Sequence, residues 1–396
     1  MRQLSVLAIA AVVLVSFCDN FSQFPVIAPY ARSLGATPAF IGVVVAAYSA
    51  TNLAGNVLAG FMIDRFGRKR LLVIGLLTTA GVLLVYAVVR YPSELVAVRA
   101  AHGLAAAILA PAAFTLLGDI FPRESRGRAM GANGALIALA AMVAPALGGI
   151  VRDRWGFVAV FLTVAALVAG AALLAQLFVR ETHHPKTGDH ATLPVLLALA
   201  TRRSLSLAYV PAIALTFGLG TLVTYLPLHL SDLGHGGAQT GVAFSAFAVL
   251  AMLAMASPLG RIGDVRGRLQ PLAWGLSLAG VGLALLPAWQ QLPAILACMA
   301  LYGLGFGLVF PAANAQVADV TIPSERGSAF GLFYGFYSVG VILGATISGL
   351  LAEEHALFGL SPFLLAASAA LLVGPGTLLA ARGTAAYGQA TESRGS

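Results

Sequence analysis

Residues Gly60–Arg70, with the sequence GFMIDRFGRKR, form a short charged stretch between two long apolar runs, 38–63 and 71–89. Glycine lets the chain reverse and lets helix ends approach closely. A carboxylate followed by cations four and five residues later can form a local ion pair at a water–lipid boundary. The stretch therefore predicts a tight charged loop between two membrane-spanning helices. Four residues set its spacing, G-x-x-x-D-x-x-G-[RK]: Gly60, Asp64, Gly67 and Arg68.

The composition of the whole chain predicts a membrane protein. Of its 396 residues 59% are hydrophobic and 10% are charged, whereas soluble domains carry about 25% charged residues. The net charge of +8 does not indicate a nucleic-acid partner, because the cations lie in short loops between apolar runs. Cys18 and Cys298 both lie inside apolar runs, so we expect neither a disulfide framework nor a metal site.

The apolar runs are long enough to span a bilayer, which takes about 20 residues each. The longest polar break, 180–204, separates six runs from six. We therefore expect an all-α membrane protein with a bundle at 1–180, a linker at 181–204, a bundle at 205–382 and a polar, disordered tail at 383–396. The predicted spans are 5–30, 38–63, 71–89, 93–118, 128–151, 156–179, 205–230, 238–262, 270–288, 293–318, 328–351 and 357–380.

The distribution of lysine and arginine predicts the orientation of the chain. With the N-terminus inside, eighteen of the 23 Lys and Arg residues fall in inner loops and tails, four fall in outer loops, and Arg99 lies in a span. Cytoplasmic loops of membrane proteins carry the excess of positive charge. We expect an inner-membrane protein with both termini in the cytoplasm.

The two halves of the chain repeat at an offset of 200 residues. Three separate segments are in register, which indicates duplication, and the repeated loops lie on the same side, which indicates parallel repeats. The first-half residues are Gly60, Asp64, Gly67, Arg68, Gly103, Pro111, Asp119, Arg126, Gly127, Ala129 and Gly131. Their second-half counterparts are Gly260, Asp264, Gly267, Arg268, Gly303, Pro311, Asp319, Arg326, Gly327, Ala329 and Gly331.

With these motifs the chain resembles the major facilitator superfamily of secondary transporters, over essentially its whole length. The segment Arg99–Gly103 is similar to the Arg-x-x-Gln-Gly motif of its drug–proton antiporters, with His102 in place of glutamine. The fifth span resembles their G-x8-G-x3-G-P-x2-G-G motif, with alanine in place of two glycines. The resemblance implies two pseudo-symmetric six-helix bundles and alternating access, with gating at these residues: Gly60, Asp64, Gly67, Arg68, Pro145, Gly148, Gly149 and Asp264.

Three ionisable residues lie inside the apolar runs away from their ends: Asp19, Arg99 and His102. Such residues are costly in lipid and usually functional. Asp19 can carry a proton or bind a cationic substrate, or it can be a structural carboxylate paired to a neighbouring helix. Arg99 is a fixed charge that can assist proton release, or it can reach the headgroups. His102 titrates near neutral pH and can relay protons, or it can only hydrogen-bond between helices.

The second half is aromatic where the first half is ionisable. Aromatic stripes are more often packing than ligand sites, yet glycines near Tyr334 and Tyr337 suggest one face open to a cavity for a lipophilic substrate. Other polar and aromatic residues of the spans complete the predicted cavity. Its candidates are Asn20, Gln23, Tyr48, Asn52, Phe114, Tyr225, Tyr302, Phe306, Asn314, Tyr334 and Tyr337.

These observations predict proton-coupled efflux of a lipophilic or cationic small molecule by a monomer that uses the proton gradient and no cofactor. Membrane lipids are its expected partners. A lipid or glycolipid flippase, a sugar or organic-acid transporter, and a non-transporting receptor or scaffold are the alternatives. No nucleophile–base pair, metal cluster or phosphate loop is visible in the sequence, so we do not expect an enzyme.

Overall fold

A computed structural model describes residues 2–121, 123–182, 193–322, 325–358 and 361–392, and every regular element in these ranges is helical. The helices of the first half are α1 (Arg2–Ser22), α2 (Ile27–Ser33), α3 (Pro38–Phe66), α4 (Arg68–Val85), α5 (Pro92–Ala106), α6 (Leu109–Ile120) and α7 (Arg123–Phe178). Those that follow are α8 (Leu193–Thr201), α9 (Arg203–Asp232), α10 (Gly237–Ala256), α11 (Ile262–Arg266), α12 (Leu269–Leu285), α13 (Leu292–Asp319), α14 (Arg326–Phe358) and α15 (Pro362–Glu392).

Eleven helical segments within the described ranges are long and apolar enough to cross a membrane. One of them, Ala129–Phe178, has 50 residues, which is enough for two crossings. Gly156 interrupts it with φ of 83°, a conformation that only glycine adopts easily. The segment therefore supplies two spans, and the predicted all-α, twelve-helix fold of an integral membrane protein is confirmed.

Prolines end several helices earlier than the hydropathy predicts. The first span, predicted over 5–30, breaks after Ser22, because Pro25 cannot donate a backbone hydrogen bond and disfavours a helical residue before it. The fourth span breaks between α5 and α6, where the ring of Pro111 would clash with the carbonyl four residues earlier. Pro258 similarly ends α10 before the predicted limit of 262.

Two segments predicted to be irregular contain helix. The predicted linker 181–204 includes α8, whose sequence LPVLLALAT is apolar enough to pack. The tail predicted to be disordered from 383 continues the backbone of α15 to Glu392. This part of the tail carries three alanines, which favour helix, and two glycines, which do not. The helix therefore ends later than the polar composition of the tail predicts.

The chain forms two compact units. Unit 1 comprises 1–189, 222–245 and 345–356, and unit 2 comprises 190–221, 246–344 and 357–396. In unit 1, α1 and α4 pack against α7, and α3 packs against α5. In unit 2, α12 packs against both α13 and α15. Unit 1 thus includes short parts of α9, α10 and α14, and the bundle limits at 180 and 205 stay a prediction.

The internal duplication is visible in matching local structures. Gly67 and Gly267 both have positive φ, 93° and 82°, at the turns that precede α4 and α12. Arg68 pairs with Asp119, and its repeat Arg268 pairs with Asp319, Nε to Oδ2, at 2.8 Å. Each arginine therefore ties the start of one helix to the end of another within its own unit.

Candidate functional site

Asp19 lies in α1 and is 1% exposed. Its two carboxylate oxygens have different partners. Oδ1 accepts a hydrogen bond of 2.9 Å from Nε2 of Gln23, one helical turn later. Oδ2 lies 2.9 Å from Nε2 of His102 in α5, which is fully buried. A buried carboxylate is stable only when its oxygens are hydrogen-bonded, and both oxygens of Asp19 meet this requirement.

The partners of Asp19 have further polar partners of their own. Oε1 of Gln23 accepts from Arg99 at 2.7 Å. Nδ1 of His102 lies 3.2 Å from the hydroxyl of Tyr86. The charge of Arg99 acts on that hydroxyl, which completes a ring of polar contacts. We call this set the buried ring, and its five members are Asp19, Gln23, Arg99, Tyr86 and His102.

The direction of each hydrogen bond in the buried ring follows from the chemistry of the donors. A carboxylate only accepts, so Nε2 of His102 carries the hydrogen and donates to Asp19. A neutral imidazole has one donor and one acceptor nitrogen, so Nδ1 accepts from the Tyr86 hydroxyl. His102 can take up one further proton, at Nδ1, if Tyr86 turns its hydroxyl away.

Arg99 makes no ion pair with Asp19 among the described contacts, and Gln23 bonds to both of them. Its guanidinium also lies over the ring of Tyr48, with the carbon Cζ 4.5 Å from the ring centroid. The ring of Tyr48 in turn meets His102 edge to face, at 5.2 Å between centroids. The structure therefore brings Asp19, Gln23, Tyr48, Arg99 and His102 together as neighbours, although their role in proton coupling stays a prediction.

The other first-unit cavity candidates lie apart from the buried ring. Asn20 and Phe114 are half-buried. The amide of Asn52 donates to the carbonyl of Gly103 at 3.1 Å, which ties α3 to α5. Tyr225 stacks on His229, with centroids 6.0 Å apart. Of these four candidates, Asn52 has a contact that is explained by helix packing alone.

In unit 2, half-buried aromatic side chains of α13 and α14 form a continuous surface. Phe306 and Phe310 stack at 5.5 Å, and Phe310 meets Tyr337 edge to face at 6.2 Å. Tyr334 is 49% exposed, and its hydroxyl donates to Asn314 at 3.4 Å. We call this the aromatic wall, with the members Phe306, Phe310, Asn314, Tyr334 and Tyr337.

Tyr302, another cavity candidate, is a packing residue in this structure. It is 1% exposed, and its hydroxyl donates to the carbonyl of Leu215 at 2.6 Å. Its ring lies close to Gly218, where an added β carbon would be 3.1 Å from it. A buried tyrosine needs a partner for its hydroxyl, and the α9 carbonyl supplies one.

Sequence reasoning missed Tyr86, Phe17 and Phe21. Tyr86 lies in a short 3-10 turn after α4, and the one available signal was a tyrosine at the end of an apolar run. Phe17 and Phe21 are half-buried on α1 beside Asn20, with ring centroids 6.0 Å apart. Their four-residue spacing is also typical of ordinary helix packing, so the sequence alone could not single them out.

The charged loop of the first half is held by Glu181, which the sequence analysis did not single out. Its carboxylate accepts from the backbone N–H groups of Arg68, Lys69 and Arg70 at 2.9, 3.3 and 3.3 Å. These are the first N–H groups of α4, which favour a negative charge. Gly67 lets the carboxylate approach, because a β carbon there would lie 2.8 Å from Oε2 of Glu181.

Of the predicted latch between Asp64 and Arg68, the structure describes the side chain of Arg68. Gly60 lies within the backbone of α3, but its surroundings and the side chain of Asp64 lie outside the described part of the structure. Arg68 is 2% exposed and pairs with Asp119 and the carbonyl of Thr182. In the repeat, the corresponding pair of Asp264 and Arg268 is formed.

The Glu181→Gln substitution should lower the melting temperature of the purified protein at pH 7 by a few degrees, since a helix cap contributes about 1 kcal/mol. Burial disfavours the ionised carboxylate, but hydrogen bonds from Arg70, Lys69, Arg68 and Thr182 outweigh it and hold the pKa of Glu181 below 4.5. A lowered pKa stabilises the fold above 4.5, and this stabilisation disappears as the pH falls through the folded-state value.

Melting curves of wild type and Glu181→Gln in detergent, recorded from neutral to acidic pH, check this expectation. The two proteins should converge at the acidic end, where wild-type Glu181 is also neutral. A difference that is the same at every pH would contradict a charge-dependent cap.

Glycines of α7 make the closest helix contacts in unit 1. A β carbon on Gly148 would overlap the carbonyl of Ser22, and one on Gly149 would overlap the carbonyl of Gly237 at the start of α10. Asp153 continues this contact by accepting from the N–H groups of Gly237 and Ala238 at 2.8 and 2.7 Å. The region of α7 after Pro145 is therefore fitted to α1 and α10 at backbone distance.

Comparison with known proteins places the chain in a defined context. A profile described as Major Facilitator Superfamily matches residues 9–257 and 212–392. The quinolone resistance protein NorA of Staphylococcus aureus is 23% identical over 84% of this chain and 85% of its own length. Multidrug resistance protein 1 of Bacillus subtilis is 24% identical over 79% of this chain and 80% of its own length.

Solved structures share the fold. A bacterial homologue of the human lysosomal transporter Spinster, in an inward-facing and occupied conformation, has a TM-score of 0.81 at 15% identity and covers 96% of this chain and 97% of its own. The nucleoside transporter NupG has a TM-score of 0.77 at 16% identity, over 95% of this chain and 99% of its own.

Proposed function

Because the chain belongs to the Major Facilitator Superfamily of transporters, we propose that it exports lipophilic or cationic small molecules in exchange for protons. The observation that carries this proposal is the buried ring around Asp19. A carboxylate and an imidazole share a hydrogen bond of 2.9 Å at a site with 1% and 0% exposure. Ionisable groups inside the membrane are costly and are usually retained for function.

The proton would be held by Asp19 and His102 together. Uptake of one proton at Nδ1 of His102 makes an imidazolium that faces the Asp19 carboxylate, and the pair as a whole gains one positive charge. Release returns the pair to its resting state. Arg99 contributes a fixed positive charge that acts through Gln23 and Tyr86 and opposes a second proton in the ring. One proton per cycle is the stoichiometry that this arrangement favours.

The substrate class is proposed from the aromatic wall. Phe306, Phe310, Tyr334 and Tyr337 offer half-exposed rings within spanning helices, and Asn314 adds one amide. Ring faces attract apolar molecules and cations alike. The names of the relatives refer to quinolone and multidrug resistance, which supports a lipophilic substrate. The wall has no charged member, so a lipid flippase is the second candidate.

We further propose that the protein works as a monomer in the inner membrane, with both termini in the cytoplasm. The support is the excess of lysine and arginine in the loops of that side. The proton gradient is its energy source in this proposal, and no cofactor takes part.

Proton release on ligand addition tests the proposed exchange directly. Purified protein in weakly buffered detergent is offered lipophilic cations, neutral drugs and lysolipids in turn, and the pH is followed. Antiport predicts that a bound cation or drug displaces about one proton per protein. Binding without proton release would contradict antiport, and binding confined to lysolipids would favour the flippase.

The His102→Gln substitution tests whether Asp19 can carry the proton without its imidazole partner. Glutamine can still donate an amide hydrogen to Asp19 but cannot take up a proton. We expect ligand binding to persist, while fewer protons are released per bound ligand than in wild type, because the imidazole no longer takes part in the exchange. Wild-type proton release would show that Asp19 alone carries the proton.

A further inference from the structure

Two neighbouring cavities in unit 2 meet at Trp274. The first has a volume of about 490 Å³ and is lined by Arg266, Arg268 and Gln270 beside the start of α12. The second has a volume of about 530 Å³ and is lined almost wholly by apolar side chains, among them Leu259, Leu278 and Leu308. Trp274 lines both. A cavity lined by two arginines thus shares the side chain of Trp274 with an apolar groove near the start of a spanning helix.

The internal repeat indicates what the first cavity can hold. In the first half, the residues that begin α4 bind the carboxylate of Glu181 through three backbone N–H groups. The matching residues of the second half, 200 positions later, begin α12 and line the cavity. Glu181 itself corresponds to Ala381, which has no carboxylate. The repeat therefore retains the anion-binding backbone but lacks the acid that fills it.

The turns at Gly67 and Gly267 show the same difference between the two halves, since only the first has an acid against it. A β carbon built on Gly67 would lie 2.8 Å from Glu181, whereas one built on Gly267 would meet nothing within 4 Å. Among the described residues, no side chain caps α12. The start of this helix is open where the start of α4 is occupied, and helix starts favour anions.

Two arginines line the first cavity, and they differ in whether a carboxylate already pairs with them. Arg268 is paired with Asp264 and Asp319. Arg266 lies over the indole of Trp274, with Cζ 5.9 Å from the ring centroid. Within the part of the chain that the structure describes, no carboxylate pairs with Arg266. Arg266 and the start of α12 together offer a positive site at the end of the apolar groove.

We propose that these two cavities, which share Trp274, together bind one anionic phospholipid. Its phosphate lies between Arg266 and the start of α12, and one acyl chain lies in the groove beyond Trp274. An anionic phospholipid fits both cavities. A free anion would fill only the arginine-lined cavity, and a neutral lipid would fill only the apolar groove. Basic pockets between spanning helices are suited to anionic headgroups. The charge-based orientation places this end of α12 at the cytoplasmic leaflet, where such lipids are abundant.

Quenching of Trp274 by brominated lipids tests the proposal. The full chain carries Trp155→Phe and Trp289→Phe, so that Trp274 is the single tryptophan. It is placed in nanodiscs of phosphatidylcholine that contain either brominated phosphatidylglycerol or brominated phosphatidylcholine. We expect half-maximal quenching at an about fivefold lower mole fraction of the anionic lipid, the scale of one basic contact at a membrane surface.

One substitution and one control assign the preference to the cavity. Arg266→Gln removes the available charge and should reduce the preference for phosphatidylglycerol to near unity. Arg203→Gln removes an exposed arginine at the start of α9 and should leave it unchanged.

Equal quenching by both lipids in the Trp274 protein would overturn the proposal. If inorganic phosphate binds the protein while the two lipids quench equally, the site binds a free anion instead of a lipid, which would also overturn the proposal. Neither result depends on proton exchange, so the proposed transport function is tested separately.

Discussion

The Asp19→Asn substitution should abolish proton release and gradient-driven transport while ligand binding persists. The substitution removes the carboxylate that faces His102 at 2.9 Å, so no negative charge in the buried ring stabilises an imidazolium beside the fixed charge of Arg99, and the amide itself cannot take up a proton. Coupling between two bound ligands is typically about 1–3 kcal/mol, so the loss of the proton should reduce substrate accumulation by about 5- to 150-fold. Proteoliposomes with an imposed pH gradient and a fluorescent lipophilic cation measure this accumulation.

The Asp19→Asn protein should fold, because the buried ring can rearrange. The asparagine oxygen still accepts from Gln23, and its amide can donate to Nε2 of His102 once the imidazole moves its hydrogen to Nδ1. Nδ1 then donates to the Tyr86 hydroxyl. Each residue of the ring keeps at least one hydrogen-bond partner, so the expected loss is one of proton exchange and not of the fold.

Two further variants make the Asp19 result decisive. Asp19→Glu keeps a titratable carboxylate and should retain part of the accumulation. Asp232→Asn removes an exposed carboxylate that pairs with Arg32 at 2.6 Å, and exposed pairs contribute little, so it should transport normally. Wild-type accumulation by Asp19→Asn would refute the proposed proton site.

Gly149→Ala should have a comparably large effect through packing. The added methyl group would overlap the carbonyl of Gly237, so α7 and α10 would have to separate within unit 1. Overpacking of this kind costs about 1–3 kcal/mol. If transport requires this contact, its rate should fall by about 5- to 150-fold, the equivalent of that free energy.

The accessibility of a buried reporter shows whether the contact has opened. Thr240 in α10 is fully buried, and Thr240→Cys can be labelled by a maleimide in a background that lacks Cys18 and Cys298. Gly149→Ala should raise the labelling rate and lower transport together. Gly134→Ala, on the same helix with nothing within 4 Å of the added carbon, is the matched control and should do neither.

Normal transport by Gly149→Ala with Thr240→Cys still protected would show that the contact tolerates a methyl group. Slow transport without a change in labelling would point to a defect elsewhere. Either result would contradict the expected role of the α7 glycines.

The sequence determined the features that are local or linear in the chain. Twelve spans follow from the length of apolar runs, because the bilayer imposes a minimum of about 20 residues on each. The duplication follows from one constant offset, and the tight turns at Gly67 and Gly267 follow from glycine. Burial of Asp19, Arg99 and His102 was also visible, since each interrupts an apolar run.

The tertiary structure decided which of these residues meet. Asp19 and His102 are 83 positions apart in the chain. No repeat or spacing in the sequence predicts their contact, or the contact of His102 with Tyr86. The partner of Arg68 is Asp119, and the cap of α4 is Glu181, more than 100 residues later. Hydropathy fixes which side chains leave water, but only helix packing brings two distant polar groups within hydrogen-bond distance. For that reason the sequence could name four members of the site, Asp19, Gln23, Arg99 and His102, while Tyr86 and the ring of polar contacts that gives them a shared chemistry required the fold.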